Sequence, residues 1–280
     1  MKSFAQSSLA FLFLLTLSLP TLALSRRSQE ALYGNQGAGQ SPNTNWYTPE
    51  FLQALQQGAQ NDDLKGAMNR MMQNHVDIGY FRARVFLMGE FYLHQNGNSY
   101  SLKDVYCDRE IMANEFPGKS GIGPNKVPDD TLVNTEHTWP QSRFNSRISK
   151  DVQKDDLHHL YPTNSVLNGI RGNNKFGEVT KDIKELQCRA SRFGYAAQGR
   201  QEIFEPPKSH QGNVARALFY FSVKNSLPID QDEEDTLRRW DRQDPVDQEE
   251  MDRNNEIEKL QKSRNPFIDY PGLADRIQNF

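Results

Sequence analysis

Cysteine is scarce in this chain: 280 residues contain only Cys107 and Cys188. Long apolar runs are absent as well. The longest, Leu9 to Leu19, covers about a dozen residues, too few to span a bilayer. Lys2 precedes it, and Pro20 with the small-residue site Thr21-Leu22-Ala23 follows, the pattern of an export signal cut after residue 23. An N-terminal anchor that is never cut is the competing reading. No cysteine stands just past the cleavage point, which excludes a lipid-anchored lipoprotein. An excess of positive charge is also missing, the formal balance being −3. Internal repeats, the zinc patterns His-Glu-x-x-His and His-x-x-Glu-His, and base-reading signatures such as a zinc finger or helix-turn-helix do not occur.

The charge that is present is unevenly placed. Residues 141–200 hold 11 Lys and Arg against 6 Asp and Glu, whereas residues 230–258 hold 4 against 13. A basic face can therefore attract phosphates while an acidic one elsewhere cancels the total; two ordinary solvated faces are the alternative. In an exported chain, the even cysteine count favours a disulfide between Cys107 and Cys188. Closing a loop of roughly 80 residues stabilises a fold by about 4 kcal/mol in the chain-entropy model.

Residues 24–45 are rich in Ser, Gln, Asn and Gly and read as a flexible leader. One folded domain is expected over 46–280. Pro49 can open a helix carrying Leu52, Leu55 and Gln56, and Asp62 to Met72 makes a second. Phe81 to Leu93 is ambiguous and can be helical; Tyr100 to Cys107 reads as a strand across the turn Gln95-Asn-Gly-Asn98. A Pro- and Gly-rich loop over 114–130 delivers the chain to a strand with Glu136 and His137. Ser165 can start a short helix bearing Asn168, bounded by Pro162 and Gly169. Further helices are expected over Asn213 to Lys224, which is amphipathic, Asp232 to Trp240 and Gln248 to Ser263.

Two islands carry candidate chemistry: Asn134-Thr-Glu-His-Thr-Trp-Pro-Gln-Ser-Arg-Phe144 and Asp156-Leu-His-His-Leu-Tyr-Pro-Thr-Asn-Ser-Val-Leu-Asn-Gly-Ile-Arg-Gly-Asn173. Glu136 and Asn168 can give oxygen ligands to one hard divalent ion that keeps part of its water shell. His137 can take a proton from water near neutral pH. Neighbours on a strand face opposite ways, so Glu136 and His137 would serve opposite ends of an in-line displacement.

Both islands resemble the bacterial endonuclease I family of secreted or periplasmic nucleases, within the ββα-metal (His-Me finger) superfamily. Phe176-Gly-Glu-Val179, Phe204-Glu-Pro-Pro207, Gly212-Asn-Val-Ala-Arg-Ala-Leu-Phe-Tyr220, Arg253-Asn-Asn-Glu-Ile257 and Arg264-Asn-Pro-Phe-Ile-Asp269 extend the likeness over roughly residues 78 to 271. The resemblance implies a mostly helical α+β domain around a ββα-metal core. It implies a Mg2+-dependent endonuclease acting on DNA, with RNA left open, and cuts that leave 5′-phosphate and 3′-hydroxyl ends; Mn2+ or Ca2+ can replace Mg2+ in binding. Glu136 and Asn168 would be the metal ligands, the latter by motif position, since an Asn-Gly pair is ordinarily a turn. His137 would be the general base. Asp156 and His158 would brace the site, with His159 packed nearby. A cation that assists the leaving group can be Arg143, Arg147 or Arg171, with Arg143 the first choice. Without a base-reading element, contacts should go to phosphate and sugar, and cleavage should be largely independent of sequence. The product would be secreted or periplasmic, free of the membrane after signal cleavage; no protein partner can be inferred. Two other readings compete: a catalytically silent nucleic-acid-binding protein on the same fold, and a zinc hydrolase built on His137, His158 and His159.

Overall fold

The computed structural model describes residues 46–117, 121–197 and 199–280; the expected export signal and leader lie outside them. Thr48 accepts a hydrogen bond from the Phe51 N–H and Pro49 supplies the first turn, so α1 runs Pro49–Gln56. Helix α2 (Asn61–Met72) buries Leu64, Met68, Met71 and Met72 on one side. The ambiguous segment after it resolves into a helix, α3 (Tyr80–Phe86), which relaxes into a π turn over Leu87–Phe91. Strand β1 (Leu93–Asn96) then turns at Gly97 into β2 (Ser99–Asp104), and β3 (Arg109–Met112) completes a three-stranded antiparallel sheet.

The second sheet holds the two islands. Strand β4 (Val133–His137) pairs antiparallel with β5 (Leu160–Asn164), placing Glu136 opposite Tyr161 and His137 opposite Leu160. Between them lie a short helix α4 (Lys150–Lys154) and a 3-10 turn Leu157–His159. Helix α5 (Ser165–Arg171) follows β5 without a linker, because Asn164 caps it by accepting from the Val166 and Leu167 N–H groups. The expected boundary at Gly169 is wrong: that residue lies inside the helix. Gly172 ends it, with φ of +54°, a backbone state that costs glycine no Cβ clash.

A third sheet was not foreseen. Strands β6 (Lys175–Phe176), β7 (Lys181–Lys184), β8 (Arg192–Tyr195) and β9 (Glu202–Glu205) lie in the order β6-β9-β8-β7. Helix α6 (Lys208–Asn225) is longer than expected, and it is buried on every side from His210 to Asn225 rather than being amphipathic. It is the axis of the core: Phe221 meets Trp139, Phe144 and His159 at ring distances of 5.3, 5.6 and 4.4 Å. Helices α7 (Gln231–Gln243) and α8 (Gln248–Gln261) pack beside it, and α9 (Pro266–Asp269) starts at the expected Asn265-Pro266 stop. The buried Arg216 pairs with Glu250 and Asp241 across these helices. The class is the expected mostly helical α+β. Among the described residues no helix is long and apolar enough to cross a membrane.

Candidate active site

Alternation along β4 sends Glu136 to one face and His137 to the other. The His137 ring sits among Tyr80, Phe144 and His159, with centroids 5.6, 6.3 and 5.5 Å away. Its Nε2 lies 3.2 Å from the Lys154 carbonyl oxygen. A carbonyl can only accept, so Nε2 carries the hydrogen and Nδ1 is left with its lone pair. Gln141 Nε2 approaches that Nδ1 at 3.4 Å. Burial, reinforced by His159, Lys154 and Arg171 nearby, pushes the imidazole well below its ordinary pKa, so the ring is neutral.

On the opposite face the Glu136 carboxylate is almost fully buried. Its Oε1 accepts from the Tyr106 hydroxyl at 2.7 Å and lies 2.9 Å from Arg171 Nη1. Burial raises its pKa, an effect that Arg171 and Tyr106 partly offset. No described hydrogen bond reaches Oε2. Asn168, on α5, donates from Nδ2 to Asn134 Oδ1 (2.8 Å) and to the Thr135 carbonyl (3.2 Å). Because the Thr135 oxygen cannot donate, the amide nitrogen is fixed there and Oδ1 is turned away. One carboxylate oxygen and one amide oxygen thus stay uncommitted, a donor set that fits a hard, partly hydrated divalent ion.

Arg171 is buried and held in place: besides Glu136 it donates to the His137 carbonyl at 2.9 Å and to the Thr138 carbonyl at 2.5 Å. Arg143 stands on a 3-10 turn, Gln141–Arg143, its guanidinium 5.1 Å from the Trp139 ring centre and 3.5 Å from Glu233, with its side chain 28% exposed. Asp156 caps the turn carrying His158 and His159, accepting from the His158 N–H at 3.1 Å. Burial would raise its pKa, but Lys224, 2.5 Å away, and His75 overcome that and hold it well below the carboxylate range. His158 packs on the Tyr220 ring at 4.5 Å and burial lowers its pKa to about 3; His159 is lowered to about 4 for the same reason. Among the described residues no three His, Cys, Asp or Glu are placed to hold an ion, so the zinc reading on His137, His158 and His159 finds no assembled cluster.

Several supporting residues were missed from sequence. Lys154 gives the carbonyl that orients His137. Asp155, next in the chain, accepts at Oδ2 from the Ile78 and Gly79 N–H groups, both at 2.9 Å, and so ties the start of α3 to the end of α4. Gln261, at the end of α8, donates to the Asp155 carbonyl at 2.9 Å, contacts His75 at 3.1 Å and accepts from the Leu157 N–H at 2.8 Å. Tyr106 is held from the other side. Its carbonyl accepts from Ser191 Oγ at 2.7 Å, and the neighbouring Cys107 forms a disulfide with Cys188, Cα atoms 5.3 Å apart. Closeness in sequence to the second island or to a cysteine could have hinted at Lys154, Asp155, Tyr106 and Ser191; nothing of the kind marks Gln261.

Over residues 60–272 the sequence matches the family model described as endonuclease I. The chain belongs to the endonuclease I family. Relatives of this endonuclease I chain include an extracellular ribonuclease of Bacillus subtilis (strain 168), 31% identical over 79% of this chain and 76% of that protein. An extracellular deoxyribonuclease of Aeromonas hydrophila is 33% identical over 70% of this chain and 90% of its own length. A periplasmic deoxyribonuclease of the same organism is 32% identical over 41% of this chain and 47% of that protein.

Proposed function

We propose that the protein is an exported, Mg2+-dependent endonuclease that hydrolyses phosphodiester bonds of DNA and RNA with little sequence preference, leaving 5′-phosphate and 3′-hydroxyl ends. The observation that carries this reading is the division of labour across β4: a neutral imidazole whose Nδ1 lone pair meets only the Gln141 amide, at 3.4 Å, on one face, and two uncommitted oxygens, Glu136 Oε2 and Asn168 Oδ1, on the side away from it. His137 Nδ1 takes the proton as a water oxygen bonds to phosphorus. The bond from phosphorus to the 3′ oxygen breaks on the far side, and that oxygen leaves to gain a proton as the 3′-hydroxyl. Glu136 and Asn168 would hold Mg2+, which supplies Lewis-acid stabilisation of the charge that builds on the phosphate and the leaving oxygen. Arg171 is tied to two carbonyls and braces Glu136, whereas the partly exposed Arg143 can turn to a phosphate. Both substrate classes appear in the names of the extracellular relatives, and export agrees with their locations.

Conversion of supercoiled plasmid to nicked and linear forms, with Mg2+, with chelator and with His137→Ala, tests the reading. Metal-dependent nicking that the variant loses, giving a smear without discrete bands, is expected. Absence of cleavage in every lane would favour a silent binding protein, and full activity in His137→Ala would remove the base.

A further inference from the structure

Phe81 is 72% exposed, the most exposed large apolar side chain among the described residues, and it stands in the first turn of α3. Single exposed apolar residues are common on proteins and by themselves mean little. The surroundings of this one differ. Its neighbour Tyr80 lays its ring 5.6 Å from His137, and the Lys154 ammonium lies 4.3 Å from the Tyr80 ring centre. No ion pair among the described residues involves Lys154. The turn is also rigidly seated: Asp155 accepts from two successive backbone N–H groups just before Tyr80, and Gly79 takes the left-handed φ of +76° that the entry requires.

An aromatic ring in water, one residue along the helix from a ring that meets both an ammonium and His137, brings together the components of a single-strand binding platform, where bases stack on aromatic rings and cations follow the backbone. We propose that Phe81 stacks an unpaired nucleobase of the substrate strand while Lys154 contacts a phosphate next to it, so that this enzyme binds single-stranded DNA or RNA in preference to duplex. A base inside a duplex has both faces covered by its neighbours; only an unstacked base offers one to a side chain. The proposal rests on the nuclease reading, which is tested separately by plasmid nicking.

The test uses the whole protein in chelator, which prevents turnover, and a single-stranded oligonucleotide carrying 2-aminopurine, with the matching duplex in parallel. Stacking should quench the probe in the wild type. Phe81→Ala should abolish the quench and weaken single-strand binding about tenfold or more, while duplex binding changes far less. Phe81→Trp should restore the single-strand preference. Ile183→Ala, a comparable exposed apolar change on β7, should leave both affinities as they were. Phe81→Ala binding both forms like the wild type, or losing both equally, would overturn the platform. An active wild type with an indifferent Phe81→Ala sinks the platform alone, whereas a wild type that cleaves neither plasmid nor oligonucleotide sinks the nuclease reading beneath it.

Discussion

Replacing Tyr106 with Phe removes one oxygen and nothing else from the wall behind Glu136. The ring would stay packed on Phe204, 4.7 Å away, so the core keeps its volume. What is lost is a fully buried O–H donating at 2.7 Å to Glu136 Oε1. A hydrogen bond to a charged acceptor contributes about 1.5–3 kcal/mol, which corresponds to roughly a 10- to 150-fold change in an equilibrium constant. Arg171 remains on the same oxygen, so the lower end applies. Losing a donor also leaves burial less opposed, which pushes the Glu136 carboxyl further up and makes protons compete better with metal. The half-saturating Mg2+ concentration in a plasmid-nicking titration should therefore rise by about tenfold, in line with the loss typical of partners that orient a metal ligand. The rate at saturating Mg2+ should recover most of its wild-type value. An unchanged Mg2+ titration would refute the role given to Tyr106. So would a reduced maximal rate at an unchanged half-saturation point.

The pH profile gives a second check: burial holds the His137 pKa well below 6.5, so its basic form persists as pH falls, and at saturating Mg2+ the acid limb of kcat/KM should lie below pH 6.5; a limb centred at 6.5 or above would contradict a buried neutral base. Replacing Cys107 and Cys188 together with Ser opens a link between residues 81 apart, and urea unfolding should report a loss of about 4 kcal/mol, while a less firmly held Tyr106 should raise the half-saturating Mg2+ concentration for nicking; unfolding at the wild-type midpoint would count against the stabilisation, and an unchanged Mg2+ titration against the coupling.

The legible parts of this protein are those whose cause is local. Pro49 announces α1, and the Asn265-Pro266 pair marks a stop, because proline acts within a few residues. The pairing of Cys107 with Cys188 followed from count and compartment. Glu136, His137 and Asn168 were singled out by their islands, and it is the fold that brings α5 against β4. The third sheet was hidden because β6 has two residues, the others four, and β7 is exposed along its whole length, so no alternation is written there. Helix α6 reads as amphipathic in the sequence for a different reason: polar residues such as Arg216 and Lys224 are buried with ion partners, which periodicity reads as a solvent face. Lys154, Asp155 and Gln261 act through backbone atoms or amides contributed from distant segments, and no residue pattern encodes such a meeting.

Gln261 bears on how portable this chemistry is. The strand pair and helix that carry Glu136, His137 and Asn168 span residues 133–171, a length that invites transplantation as a cassette. Yet the footing of the base is distributed: the carbonyl under His137 comes from Lys154, the next residue grips Ile78 and Gly79, and that residue's own carbonyl is held by a side chain ninety residues past the motif. A grafted copy would keep Glu136, His137, Asn168 and the Lys154 carbonyl but lose Ile78, Gly79 and Gln261, the contacts that seat Asp155 and the segment under the imidazole. Recombination, natural or engineered, should therefore trade this nuclease as a whole domain through α8, while the short motif by itself travels without its activity.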